Sequence, residues 1–189
     1  MLAIALIVLV ALMLASITLV RSVDTTSVIA GNLAFKQAAV QVADFGVEAA
    51  ATALPNIVAT TSEVDVLPPA NGNPAYWYYA TRRDADANGI PTTRAAGAAG
   101  AATPINWSNV PIAITVAGNA VQVVIERLCL GSTPVDIQAQ CSYEGTAEGG
   151  TKKIGGVVFT NVTSVHYRVT TRVAGPRNTV SMVQAIVSR

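Results

Sequence analysis

Asp84-Ala85-Asp86-Ala87-Asn88-Gly89 is the stretch of this chain best equipped for chemistry. Alternate oxygen-bearing side chains can converge on one cation, and glycine permits the sharp turn such a loop needs. Asp84, Asp86 and Asn88 are therefore candidate calcium ligands, with Thr92 able to reach through a water. The second half of the pattern fails: Ala95 stands where a bidentate glutamate would close the site. Any affinity is expected in the ~millimolar range of extracellular calcium modules. The competing reading is a solvated Asp/Asn turn after Arg82-Arg83. No other cofactor is expected.

Cys129 and Cys141 are the only cysteines, and neither a CxxC nor a Cys/His metal spacing occurs. Beside an N-terminal export segment they read as one disulfide formed outside the cytoplasm, the alternative being two free buried thiols. A loop that short gains roughly 3 kcal/mol from cross-linking in the chain-entropy account. The single histidine, His166, falls on the polar side of a strand pattern with no serine or cysteine signature around it. Glu126 and Arg127 end a strand pattern and read as an exposed ion pair. No G-x-S-x-G, phosphate loop or H-E-x-x-H is present, so nothing supports an enzyme. Asn106-Trp107-Ser108 and Asn161-Val162-Thr163 fit the short N-glycosylation pattern.

The elements that must position these residues begin with a segment free of charge. Met1 to Val20 holds only Ser16 and Thr18 as polar interruptions, and roughly 20 apolar residues suffice to cross a bilayer as one helix. A positive start and an A-x-A cleavage site are missing, so a conventional cleaved signal does not fit. Arg21, the one basic residue near the boundary, sits on the wrong side for positive-inside orientation. A basic leader removed before Met1 is the expectation that resolves this. Helix-compatible sequence continues to Leu54, where Pro55-Asn56 is expected to end it. Leu33, Val40, Val47 and Leu54 recur every seven residues, with Ala43 and Ala50 between, which predicts one apolar stripe. Gly31 and Gly46 each weaken the helix by about 1 kcal/mol. A rod this long and apolar belongs in lipid as a plain anchor or in a bundle of like helices, and periodicity does not choose between them.

The composition agrees. Only 12% of the 189 residues are charged, against about 25% in ordinary soluble domains, and mean hydropathy is +0.46. Net charge is +1 and basic residues cluster only at Arg82-Arg83 and Lys152-Lys153, so nucleic-acid binding has no electrostatic footprint. Residues 55–110 are rich in proline and, from Arg94 to Ala102, in alanine and glycine; they read as an irregular connection. Tyr76-Trp77-Tyr78-Tyr79 within it is expected to pack onto the domain, the alternative being an inter-subunit anchor. Over 111–189, alternation marks strands around Ile112-Ile114-Val116, Val121-Val123-Ile125, Val165-Tyr167-Val169-Val173 and Thr179 to Val187. His166, Arg168 and Arg172 would point away from the core. The fold class is therefore α+β: a helix over 1–54 whose second half packs on an antiparallel β-sheet domain at 111–189.

The two ends of the chain resemble a known family. Leu19-Val20-Arg21-Ser22, then Ala30-Gly31-Asn32, an alanine-rich helix ending near Glu48-Ala49-Ala50, and the tail Val169-Thr170-Thr171-Arg172-Val173 with Gly175-Pro176-Arg177-Asn178-Thr179-Val180-Ser181 and Val183-Gln184 look like PilX-type subunits of type IV pilus systems, relatives of GspK-like pseudopilins. The middle, about 55 to 110, is not covered. The resemblance implies a type IV pilin-like fold and a basic leader cut by a prepilin peptidase. It also implies a methylated N-terminal residue, Met1, residence in the bacterial inner membrane, and extraction by the pilus assembly machinery into an extracellular helical filament of self-associating or mixed pilins. It raises the expectation of calcium in a loop, since related pseudopilins bind it there. One departure is Ala5, where most major pilins carry a glutamate that pairs with a neighbour's terminal amine. Major subunit, minor subunit that initiates assembly or presents an adhesive tip, and membrane-anchored periplasmic binding domain all remain open.

Overall fold

The computed structural model describes residues 2–60, 63–133, 136–145, 163–176 and 179–189. The long helix α1 spans Leu2–Thr60. It therefore ends beyond the Leu54 expected from Pro55. Pro55 lies inside the helix and on its exposed side, where the carbonyl left without an N–H donor can bond to water, so the usual penalty is softened. The chain divides into two units, Met1–Ala39 and Val40–Arg189. The first consists of the leading part of α1, and Leu2–Ala39 extends about 57 Å at 1.5 Å per residue.

Among the described residues of the second unit the strands are β1 (Trp77–Tyr79), β2 (Arg83–Ala85), β3 (Pro91–Ala95), β4 (Ile112–Val116), β5 (Asn119–Arg127), β6 (Tyr143–Gly145), β7 (Thr163–Ala174) and β8 (Val180–Ser188), with a short helix α2 at Ile137–Gln140. β5 and β7 pair antiparallel over eight positions and form the spine of the sheet. β8 flanks β7 on its other edge. The remaining edge of β5 is shared: β4 pairs with its first half and β1 with its second. The β1–β5 pairing is parallel, so the sheet is mixed and not purely antiparallel. The expected strands correspond to β4, β5, β7 and β8. Ala117-Gly118 turns β4 into β5 with φ of 48° and 78°, the left-handed pair that a tight hairpin requires. The segment expected to be irregular, 55–110, contributes β1, β2 and β3 and the last turn and a half of α1.

The α1 face that packs on the sheet is the second half of the expected stripe, widened by neighbours the stripe did not include. Ala43, Ala50, Leu54 and Ile57 are buried, together with Val42 and Gly46. Leu33 and Val40 are exposed. Small residues win because they let the helix axis approach the strands closely. A Cβ on Gly46 would lie 2.5 Å from Thr171 Cγ2 and 2.8 Å from Val121 Cγ1. Gly46 is thus a packing requirement rather than only a weak point in the helix. Since side chains alternate along a strand, the register places Val123, Ile125, Val169 and Val173 on this same face, and all are at most 1% exposed.

Candidate functional site

The first unit is defined by what it leaves uncovered. From Ile4 to Phe35 the large apolar side chains are 46–70% exposed. By length and composition α1 can cross a membrane once. Several hydroxyls in this run are satisfied within the helix: those of Ser16 and Thr18 donate to the Met13 and Ala15 carbonyls at 2.8 Å. Thr25 and Thr26 donate likewise to Arg21 and Ser22. Such back-bonding removes the cost of placing a hydroxyl in hydrocarbon. Charge enters Leu2–Ala39 only at Arg21, Asp24 and Lys36. Met1, the expected methylated residue, lies outside the described residues, as do Lys152, Lys153 and Asn161.

In the second unit the candidate calcium ligands lie on the β2–β3 hairpin, and one carboxylate oxygen of each aspartate is engaged within the hairpin. Asp84 Oδ2 pairs with Arg94, at 2.7 Å from Nε and 2.6 Å from Nη2. Asp86 Oδ1 accepts the N–H of Asn88 at 2.8 Å and of Ile90 at 2.9 Å, which is an Asx turn. Gly89 takes φ of 79° in it. Thr92 Oγ1 donates to the Asp84 carbonyl rather than facing the other two. The three residues are close in the hairpin, yet their groups hold the turn and the neighbouring strand. Among the described residues no set of three His, Cys, Asp or Glu side chains is arranged to hold a metal ion.

The structure forms the Cys129–Cys141 disulfide across an isolated bridge pair with Cα atoms 4.0 Å apart. It anchors a loop in which Asp136 caps α2 by accepting the Gln138 and Ala139 N–H groups. Next to it, Ser142 Oγ lies 2.9 Å from His166 Nδ1. Ser142 is 24 positions from His166 in the chain, and the antiparallel pairing of the segment entering β6 with β7 brings the two together. Both side chains reach the surface, and the contact is a single hydrogen bond with no carboxylate behind the imidazole among the described residues. An open hollow of about 410 Å³ beside Ser142 is lined also by Arg82, Leu128, Leu130 and Gln140.

The polar network that sequence reasoning missed lies on the sheet face opposite α1. Glu126 is wholly buried and Arg127 is 6% exposed, so they are not the exposed pair expected at a strand end. Glu126 forms an ion pair with Arg168 of β7. Burial pushes its carboxyl above the ordinary value, and the guanidinium of Arg168 opposes that shift without cancelling it. Arg83 binds Asp65, donates to the Thr93 carbonyl at 3.0 Å and lies with Cζ 4.0 Å from the Tyr79 ring centre. Beside this, Gln122 Nε2 donates to the Trp107 and Val110 carbonyls and its Oε1 accepts from Arg172. Arg168 and Arg172 do leave the helix-facing core, as expected, but the face they join is roofed by residues 63–111. Trp77, Tyr79, Ile105 and Val110 of this layer form an apolar cluster with Val124 of β5. The aromatic run is therefore intramolecular packing: Tyr78 is fully buried, and burial raises the Tyr79 phenol to about 12. Asn106 uses its Oδ1 to cap the 3-10 turn at Trp107–Asn109 and remains exposed.

Among the described residues no nucleophile, base and oxyanion site converge on one point in this network. Their work is to hold a loop layer on a sheet. Comparison with protein-family models, curated proteins and solved structures finds no match to this chain.

Proposed function

We propose that this chain is a structural subunit of a bacterial type IV pilus-like filament. One observation carries the reading: the leading helix is apolar on all sides from Ile4 to Val20, its large apolar side chains stay uncovered as far as Phe35, and Val40–Arg189 has a separate core of its own. A domain that already buries the β5–β7 spine of its sheet on both faces has its core without that part of the helix. Lipid before assembly and neighbouring helices afterwards are the two environments that accept it. In this reading Met1 is the processed and methylated residue, the prepilin peptidase and assembly machinery are transient partners, and other pilins are the permanent ones. The disulfide fits an extracellular destination. The reading extends to a minor, initiating or tip-borne subunit.

A membrane-anchored extracytoplasmic domain is the second reading, and the ability of α1 to cross a bilayer by itself favours it equally at the outset. Shearing fibres from the producing cells and measuring this chain by mass spectrometry separates the two. Chain present along the fibre in stoichiometric amount supports a major subunit, and trace amounts a minor one. Its confinement to the detergent-soluble membrane fraction would sink the filament reading. The same intact-mass measurement reports a methyl group on Met1.

A further inference from the structure

Lys36 is the charged group on the leading helix that lacks a local explanation. Its neighbours three and four residues away are Asn32, Leu33, Ala39 and Val40, so the helix offers it no acidic partner at the spacings that meet on one face. Leu33 and Phe35 beside it are half exposed and apolar. Among the described residues Lys36 makes no ion pair. If this surface is buried against other helices, the ammonium goes with it, and a buried ammonium needs an opposite charge. Asp24, also exposed, is the one acidic residue between Leu2 and Ala39.

We propose that Lys36 of one copy pairs with Asp24 of a neighbouring parallel copy displaced along the helix axis. The inference rests on the filament reading above and specifies its contact. The residues stand twelve positions apart, which sets the displacement at about 18 Å. Twelve steps also turn the helix so that the two side chains leave it in directions about 120° apart. Each copy therefore presents its lysine to one neighbour and its aspartate to another. That is a heterologous contact, which propagates rather than closes. An antiparallel pair centred between the residues would also match the charges, but it would require copies inserted in opposite directions across one membrane. Arg21, three residues before Asp24, lies on the same side of the helix and shields Asp24 until a neighbour arrives.

Charge exchange in the full-length chain tests this. K36D alone and D24K alone each place like charges at every contact, and each is expected to lower the yield of sheared fibre roughly tenfold or more, as like-charge juxtaposition costs several kcal/mol. Co-expressing the two variants restores the opposite-charge contact in alternating order and is expected to bring the yield back to about that of wild type. Recovery in the mixture shows that neither variant is merely misfolded. A mixture no better than its components, or single variants that assemble normally while wild type forms fibres, overturns the stagger and leaves the filament reading standing. Wild-type chain absent from fibres overturns both. As a second measurement, D24C/K36C treated in fibres with a short bis-maleimide is expected to give a ladder of covalent oligomers. Dimers alone would mean the antiparallel pair and overturn the proposal.

Discussion

The two faces of the β5–β7 spine are both buried, by opposite chemistry. Toward α1 the face is Val121, Val123, Ile125, Val169 and Val173, and the partner surface is Ala43, Gly46 and Ala50 followed by Leu54 and Ile57. Toward residues 63–111 it is Gln122, Glu126, Arg168, Thr170 and Arg172, and the partner surface is carbonyls, an aromatic ring and further charge. Apolar packing is non-directional and is limited mainly by volume. Hydrogen-bonded charge is directional and costly to leave half-paired. The helix is thus held by fit, and the loop layer by register. A proline-rich stretch with few strand residues can be ordered in this second way because its carbonyls need partners and the sheet provides them.

The largest difference should appear when one charge is removed. Glu126→Ala leaves Arg168 on a mostly buried face without its carboxylate, and about 3–5 kcal/mol of stability should go. The double variant E126M/R168M should lose clearly less than E126A, since no unpaired charge remains. Urea unfolding of the full chain in detergent measures both. An E126A cost as small as that of a surface pair would mean that the roof does not exclude water.

The polar face alone should respond to mild acid. Glu126 binds its proton more tightly folded than at the ordinary value of 4.5. Just above that pH the unfolded chain has lost the proton and the folded chain keeps it, so stability falls as pH rises through the window and levels off beyond the folded value. The difference in unfolding free energy between wild type and E126Q, followed upward from pH 4, should show that decline. A rise over the same range would mean that Arg168 outweighs burial.

On the apolar face the sharpest probe is Gly46. Gly46→Ala gains about 1 kcal/mol of helix propensity, but its methyl would meet Thr171 Cγ2 at 2.5 Å, and a β-branched neighbour cannot turn away freely. Overpacking of this kind costs about 1–3 kcal/mol, so a net loss is expected, recovered only in part when Thr171→Ser removes one obstructing methyl, since Val121 Cγ1 still lies 2.8 Å from the new Cβ. Equal stability of G46A and wild type would show that the helix sits further from the strands.

Much of this arrangement is legible in the residue pattern. Alternation locates β4, β5, β7 and β8, the apolar run locates the leading helix, and cysteine count with compartment gives the disulfide. What is missed has physical causes. The expected stripe correctly holds Ala43, Ala50 and Leu54, but its seven-residue spacing also takes in the exposed Leu33 and Val40 and passes over Val42, Gly46 and Ile57, which close packing selects. Pro55 argues for a helix end, but a proline facing water costs too little to stop α1 before Thr60. Trp77–Tyr79 has three residues and no alternation, and its parallel pairing with β5 joins segments some 47 positions apart, Trp77 with Val124. Glu126 alternates correctly away from the helix, and period two says which residues share a face without saying what covers it. The same limit applies to Asp84, Asp86 and Asn88: their spacing matches a calcium loop, while Arg94 and the backbone N–H groups that engage two of them become visible only in three dimensions.

The smallest expected effect separates the two roles a glycine can have in α1. Around Gly31 nothing lies within 4 Å of where a Cβ would be, in contrast to Gly46. With no contact to disturb, Gly31→Ala should stabilise the helix locally by up to about 1 kcal/mol through backbone entropy alone. Amide exchange of the adjoining turns in the detergent-solubilised chain should slow by up to roughly fivefold, since local opening sets that rate. The sign is opposite to that expected at Gly46, though the residue type and the element are the same. If G31A instead left exchange unchanged and lowered the yield of assembled fibres, Gly31 would be a contact surface for a neighbouring helix, because small residues are what let apolar helices approach one another closely. In that case glycine would do the same work at both positions, against a strand at one and a second copy at the other.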